Sequence, residues 1–365
     1  LISFAESASS LRVERQDRLG EARLALEAQL ERLGVALPLT ARAAWLEENP
    51  AARGWLFGLR DGTGELRGGF GATVFRSRAL PGHRIIRAER FGAGLAPGPL
   101  SDAAVTALVA AARGSPWALR LRVEIFTADD ELRSGLGVAL AAAGLHRDPH
   151  PRNYERTITV DLRPPLEALL DTVGRRARRA IKAADKFPIR IGPITDPALA
   201  PRMQALLTET LQRTGGKPEA FDAVGSIRFA GRHPRLARLV GLFHNEVDGE
   251  GSLLAFAWSH FHGDHASYET AASTRSTEAK IPLLYPLAWD LMRWAKAQGA
   301  SWFDFGGVTD GSTSSEDPLG GISDFKRAFS ESVVVVGEDW ELELAPRRAR
   351  LARLVGTVSG WLVQR

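Results

Sequence analysis

The chain has 365 residues, 44% hydrophobic and 25% charged, a globular composition long enough for two domains. It contains no cysteine, which excludes disulfides, thiolate nucleophiles and cysteine-ligated metals and fits a reducing compartment. A net charge of +4 with abundant arginine points to local basic surfaces. These suit phosphate-bearing partners: a tRNA end, a nucleotide, a pyrophosphate lipid or coenzyme A. The sequence opens without a basic-then-apolar leader, and no stretch approaches about 20 apolar residues, so a cytoplasmic protein is expected.

Residues 11–36 carry Leu19, Leu24, Leu26, Leu30 and Leu33 and predict one amphipathic helix; Trp45 falls in a second, short one. GWLFGLRD and LRGGFGATVFRSRAL then form a hairpin around the glycine-rich turn at 61–64. RIIRAERFGAG is a further strand, and PGPLSD opens a helix with Ser101 or Asp102 as its cap. ALRLRVEIF alternates as a strand, and residues 131–144 form a helix that Gly144 stops.

After the polar HRDPHPRNYE the same grammar begins again. ERTITVDL is a strand, PPLEALLDTVGRRARRAIKAADK contains helices, PIRIGPI is a strand and residues 197–213 are a helix. ARLVGLFHNE and SLLAFAWSHF are strands, the latter turning through HGD into ASYETAAS. LLYPLAWDLMRWAKAQGA is a long amphipathic helix ending at Gly299, SWFDFGG a buried strand, and SVVVVGEDWELEL a last strand pair. The expected architecture is α/β (α+β): two domains, 1–152 and 153–365, each a mixed sheet flanked by helices.

Three segments carry a family resemblance. TITVDL precedes the basic helix GRRARRAIKAADK; the hairpin AFAWSHFHGDHASYETAAS has Tyr268 in its returning strand; and LLYPLAWDLMRWAKAQGASWFDFGGV leads through a loop to GISDFKRAFS. Their order resembles the Fem family of peptidoglycan-bridge aminoacyltransferases, including its Asp-x-Gly-Gly strand end and Phe-Lys element. The resemblance implies two tandem GNAT-like domains. With no sustained apolar heptads, it is to the form without a coiled-coil arm. It also implies transfer of an amino acid from aminoacyl-tRNA to an amine of a UDP- or lipid-linked peptidoglycan precursor, by a cytoplasmic monomer with no resident cofactor. The alternatives are an acyl-CoA-dependent N-acyltransferase on the same scaffold and a non-catalytic nucleic-acid or membrane-binding protein.

Lys326, beside Phe325, matches the family's lysine; a positioned ammonium stabilises charge on a reacting carbonyl or anchors a phosphate. The bland reading is a solvated lysine at a helix start. Gly306 and Gly307, where a buried strand emerges, would let backbone N–H groups bind an oxyanion or simply make a turn, and Asp304 would act in catalysis or cap local backbone. Tyr268 would hold the acceptor or pack in its sheet. Arg213, near Lys217 at a helix end, is a candidate phosphate anchor. Glu124 is a candidate base for the attacking amine or the partner of a nearby arginine. Arg175, Arg176, Arg178, Arg179 and Lys182 share the exposed face of one helix, with Val173, Ala177, Ala180, Ile181 and Ala184 on its buried side. That strip would contact tRNA phosphates or remain solvated. The family's early lysine has no counterpart in LEENPAAR after Trp45, which leaves the acceptor open.

His260, His262, Asp264 and His265 suit a hairpin turn rather than a metal, and no metal is expected. RSGLG at 133–137 is a near miss to the GNAT pyrophosphate loop, although a helix start there would still bind anions. The C-terminal RRARLARLVGTVSGWLVQR alternates arginines with apolar residues at helical spacing. It is expected to dock on the second domain, the alternative being the inner face of an anionic membrane.

Overall fold

The computed structural model describes residues 11–149, 153–214, 221–247, 249–275, 282–312, 314, 316–317 and 319–363. Two units carry separate cores: Leu1–Glu155 with Val335–Arg365, and Arg156–Val334.

The first unit contains β1 (Arg12–Gln16), α1 (Glu21–Arg32), α2 (Ala43–Glu48), β2 (Arg53–Arg60), β3 (Leu66–Arg76) and β4 (Arg84–Phe91). It continues with α3 (Pro99–Arg113), β5 (Ala118–Phe126), α4 (Asp130–Ala142) and β6 (His146–Arg147). The second holds β7 (Arg156–Asp161), α5 (Leu166–Thr172), α6 (Arg175–Ala183), β8 (Ile189–Pro193), α7 (Ala200–Thr214) and α8 (Ala223–Arg232). Then follow β9 (Ala237–His244), β10 (Leu253–Phe261), β11 (His265–Ser273), α9 (Leu284–Ala297), β12 (Trp302–Gly307), α10 (Gly320–Arg327) and β13 (Val333–Val335). β14 (Gly337–Glu343) and α11 (Pro346–Val363) close the chain.

The first sheet runs β1-β2-β3-β4-β5-β14-β6 and the second β13-β7-β12-β11-β10-β9-β8. In each, one parallel pair (β4·β5 and β11·β12) lies among antiparallel neighbours and is linked by a helix, as a parallel connection requires. The first core stacks Phe57 on Phe70 at 4.4 Å and adds Leu108, Leu136 and Leu140 from α3 and α4. The second buries Val160, Leu242, Phe303 and Phe305 against Leu287 and Leu291 of α9. Gly71 in β3 is needed for closeness: a Cβ there would come within 2.2 Å of the Ala41 Cβ.

Several expectations are corrected. Residues 11–36 are not one helix: RVERQ is an edge strand on β2, and α1 starts at Glu21. Leu26 and Leu30 face the core while Leu19, Leu24 and Leu33 are exposed, so the leucines lie on two faces. Buried Arg23 holds this arrangement, donating at 3.0 Å to the carbonyls of Gln16 and Gly54 and also to that of Ala41. α3 begins at Pro99 with Gly98 as cap, because proline suits the first helical position; Ser101 lies in the first turn and donates to the Gly98 carbonyl at 2.8 Å. α8 lies in a stretch given no element from sequence.

The last strand pair divides between sheets, β13 beside β7 in the second and β14 between β5 and β6 in the first. Residues 335–365 therefore belong to the first unit, and the expected 153–365 domain ends early. The reason is charge: Glu341 of β14, buried, takes ion pairs from Arg120 at 3.2 Å and Arg122 at 2.9 Å of β5. α11 follows β14 onto the first sheet, where Arg120 donates to the Ala349 carbonyl at 3.3 Å, so it does not dock on the second domain.

Candidate active site

The strand end and the Phe-Lys element meet within the second unit. β12 carries WFDFGG outward from the core, and Gly306 takes φ 73°, a left-handed conformation that glycine adopts without strain. The β12·β7 register slips between Asp304 and Gly307, so the strand bends there. Asp304 is fully buried inside the bend. Its Oδ1 accepts from the Gly306 N–H at 2.9 Å and from the Thr157 hydroxyl of β7 at 2.5 Å. Two expectations change. Asp304 reaches no solvent, so it positions the bend rather than acting on substrate, and the Gly306 N–H is taken by Asp304 instead of being free for an oxyanion.

Lys326 lies in the last turn of α10 and is 7% exposed, not a solvated residue at a helix start. Its Nζ donates to the Gly307 carbonyl at 2.6 Å. Burial pulls its pKa down from 10.5 to about 8, with the Asp304 charge opposing the fall. The neighbouring Arg327 donates to the carbonyls of Gly311, at 2.7 Å, and Thr309. Arg156 holds Asp310 through two 2.9 Å bonds, and the Thr309 hydroxyl donates to Asp317. The described residues of the loop after the bend are tied down at each of these points.

Phe325 stacks on Tyr285 of α9 at 5.2 Å and meets Tyr268 of β11 at 5.9 Å; Tyr268 also packs on Phe305 at 5.7 Å. The sheet-packing reading of Tyr268 thus describes its ring. Its hydroxyl is buried without a hydrogen-bond partner among the described residues, and that burial pushes its pKa above the ordinary tyrosine value.

Phe325 and Tyr285 also line a cavity of about 350 Å³, together with Arg176, Arg213, Arg275, Leu283 and Leu284, among others. Three sequence candidates (Arg176, Arg213 and Phe325) converge here. Arg275 was missed. It is placed by the end of β11, where the Arg275 N–H donates to Glu209 of α7 at 2.9 Å and the Ser273 N–H to Thr210 at 3.1 Å. The only sequence signal is the Glu209–Arg213 spacing of one helical turn. Among the described residues no carboxylate lies within ion-pair distance of any of the three guanidinium groups. Burial, then the like charge of Arg275, depresses the Arg213 pKa, with Glu209 opposing. Three arginines lining one partly apolar cavity, none of them in an ion pair with a carboxylate among the described residues, suit an anion such as a phosphate.

α6 has the predicted faces, with Val173, Ala177, Ala180 and Ala184 buried and Arg175, Arg176, Arg179 and Lys182 exposed. Arg178 is half-buried and donates to the Asp171 carbonyl at 2.8 Å. Lys217 lies outside the described residues.

Glu124 belongs to the first unit and makes no ion pair among the described residues. Burial, then the Glu89 charge, raises its pKa to about 8; Asp339 adds to the rise while Arg90 and Arg87 oppose it. Nearby Arg90 sits at φ 49°, where the β4·β5 register slips between Ala88 and Phe91.

The near-miss RSGLG is not a loop but the first turns of α4. The Asp129 carboxylate accepts from the Glu131 and Leu132 N–H groups, and Asp130 and Glu131 follow, so this helix start repels anions. The histidines of this hairpin form a small network of polar contacts. His262 lies 2.8 Å from the Ser267 hydroxyl, His260 3.4 Å from Glu269, and His265 2.5 Å from Asp264. No group of three or more potential ligands among the described residues is arranged to hold a metal.

Residues 172–327, which hold all these second-unit groups except Arg156, Thr157 and Asp171, match the acetyltransferase (GNAT) domain family. No curated protein matches the sequence. Among solved structures the chain resembles FemX, with TM-score 0.70 at 16% identity over 93% of this chain and 99% of that one. It also resembles a tandem GNAT protein from the clavulanic acid biosynthesis pathway, with TM-score 0.50 at 16% identity over 92% and 99%. Among the described residues no helix is long and apolar enough to cross a membrane. The chain thus has a tandem GNAT-like fold similar to that of FemX, and its residues 172–327 match the acetyltransferase (GNAT) domain family.

Proposed function

We propose that the chain is an aminoacyltransferase that moves an amino acid from aminoacyl-tRNA to an amine of a phosphate-bearing peptidoglycan precursor. The carrying observation is the three-arginine cavity, which shares Phe325 with the buried Lys326–Gly307 bend. Arg176, Arg213 and Arg275 would hold the precursor's phosphate. The acceptor amine attacks the ester carbonyl, the C–N bond forms, the C–O bond to the ribose breaks, and the amine proton leaves with the ribose oxygen. Negative charge grows on the carbonyl and leaving oxygens, where the Lys326 ammonium would lower the barrier; Gly307 occupies one of its three N–H donors. The remaining basic residues of α6 would meet the tRNA backbone. Charged tRNA requires an intracellular site and no resident cofactor.

Incubation with charged tRNA and a UDP-linked precursor should yield an amide product that ribonuclease abolishes. Transfer that persists after ribonuclease treatment refutes the tRNA donor. The second reading, an acyl-CoA-dependent N-acyltransferase, draws on the acetyltransferase-family match of residues 172–327. It predicts protection from thermal unfolding by acyl-CoA and none by tRNA.

A further inference from the structure

α11 turns the wrong face to the protein. Its contact with β5 is made by small residues: Ala349 is fully buried and Ala352 is 7% exposed. Of its described side chains, the large apolar ones lie elsewhere, with Leu351 51%, Leu354 66% and Val355 38% exposed. At about 100° per residue, 351, 354 and 355 form one stripe, turned well away from the Ala349–Ala352 side. The same spacing continues in the sequence to Val358, Trp361 and Leu362. A stripe that was merely the inner face of a docked helix would be covered. This one is not.

Its charge says what fits it. Residues 346–365 contain five arginines and no acidic residue. Arg347, Arg348 and Arg350 are exposed, and Arg348 and Arg350 border the stripe on either side. The Arg348 guanidinium lies 4.9 Å from the ring centroid of Trp117, itself 57% exposed and held at φ 63° at the start of β5. An exposed tryptophan, an apolar stripe and flanking arginines are what an amphipathic helix offers to the headgroup region of an anionic bilayer: the stripe enters the acyl boundary and the arginines meet lipid phosphates. A second copy of the chain would bring like charges together across a two-fold axis, and RNA would leave the leucines uncovered.

We propose that α11 and Trp117 dock the protein on an anionic lipid surface, independently of the reaction assigned above. The full chain should sediment with vesicles containing phosphatidylglycerol and bind phosphatidylcholine vesicles at least about ten-fold more weakly. Added salt should weaken the binding. Because both leucines are exposed, Leu351→Glu/Leu354→Glu should fold with an unchanged unfolding midpoint yet lose about 100-fold or more in vesicle affinity. Arg348→Ala/Arg350→Ala should lose the preference for anionic lipid. Equal binding to both vesicle types, or binding untouched by the leucine changes, overturns the proposal. So does absence of vesicle binding together with a dimer that the leucine changes dissolve, or with RNA binding that they leave intact.

Discussion

Replacing Lys326 by methionine keeps the apolar stem and removes the buried charge, and two opposing terms set the outcome. The fall of its pKa from 10.5 to about 8 corresponds to about 3 kcal/mol of unfavourable burial of the ammonium, relieved in the variant. Against this, the Gly307 carbonyl loses its 2.6 Å donor, which costs about 1–3 kcal/mol inside a protein. At neutral pH the terms nearly cancel, and Lys326→Met should shift stability by no more than about 2 kcal/mol. The pH dependence separates them. The unfolded chain keeps the lysine proton up to 10.5, whereas the folded protein releases it near 8. Between those values the unfolded state binds more protons, so wild-type stability rises with pH, and it rises only there. Urea unfolding of both proteins at about pH 7 and about pH 10 should therefore show the wild type gaining up to about 3 kcal/mol on the variant. Groups common to both cancel in the difference. A difference that stays flat across that interval refutes the buried, depressed ammonium. In the transfer reaction the same substitution should lower kcat about 100-fold, and wild-type turnover should fall as pH passes through about 8.

Arg275→Ala, tested with Arg213→Ala, should raise KM for a phosphate-bearing acceptor about 10-fold or more while moving the unfolding midpoint little, since neither guanidinium pairs with a carboxylate among the described residues. A phosphate-free acceptor should show no such change in steady-state kinetics. Tyr268→Phe should leave thermal stability unchanged or raise it by up to about 1 kcal/mol, because the buried hydroxyl has no partner among the described residues to lose; a marked loss would reveal one. Glu124, with its pKa raised to about 8, binds a proton in the folded state that the unfolded state gives up near 4.5. Wild-type stability should therefore fall as pH rises from about 4.5 to about 8, and Glu124→Gln should flatten that slope in chemical denaturation.

Much of this was written locally in the chain. The alternation of ALRLRVEIF and SLLAFAWSHF, the turn at HGD, the two-faced basic helix and the Gly-Gly strand end each depend on residues within one element, where periodicity and glycine's freedom act directly. The order of these elements also carried the resemblance to the Fem family, and it placed Lys326 and Phe325 beside the bend. Tertiary structure decided whatever depends on a distant partner. EDWELEL alternates equally well for either sheet, and it joins the first because Arg120 and Arg122, more than 200 positions away, neutralise Glu341. Asp304 became a brace for the bend because Thr157 lies opposite it in the neighbouring strand. Arg275 reads as a loop residue until Glu209 and Thr210 fasten the end of β11 to α7 and set its charge beside Arg213. Periodicity fixes which way a side chain points from its own element. Which charge it will face depends on long-range packing, which no short window of sequence contains.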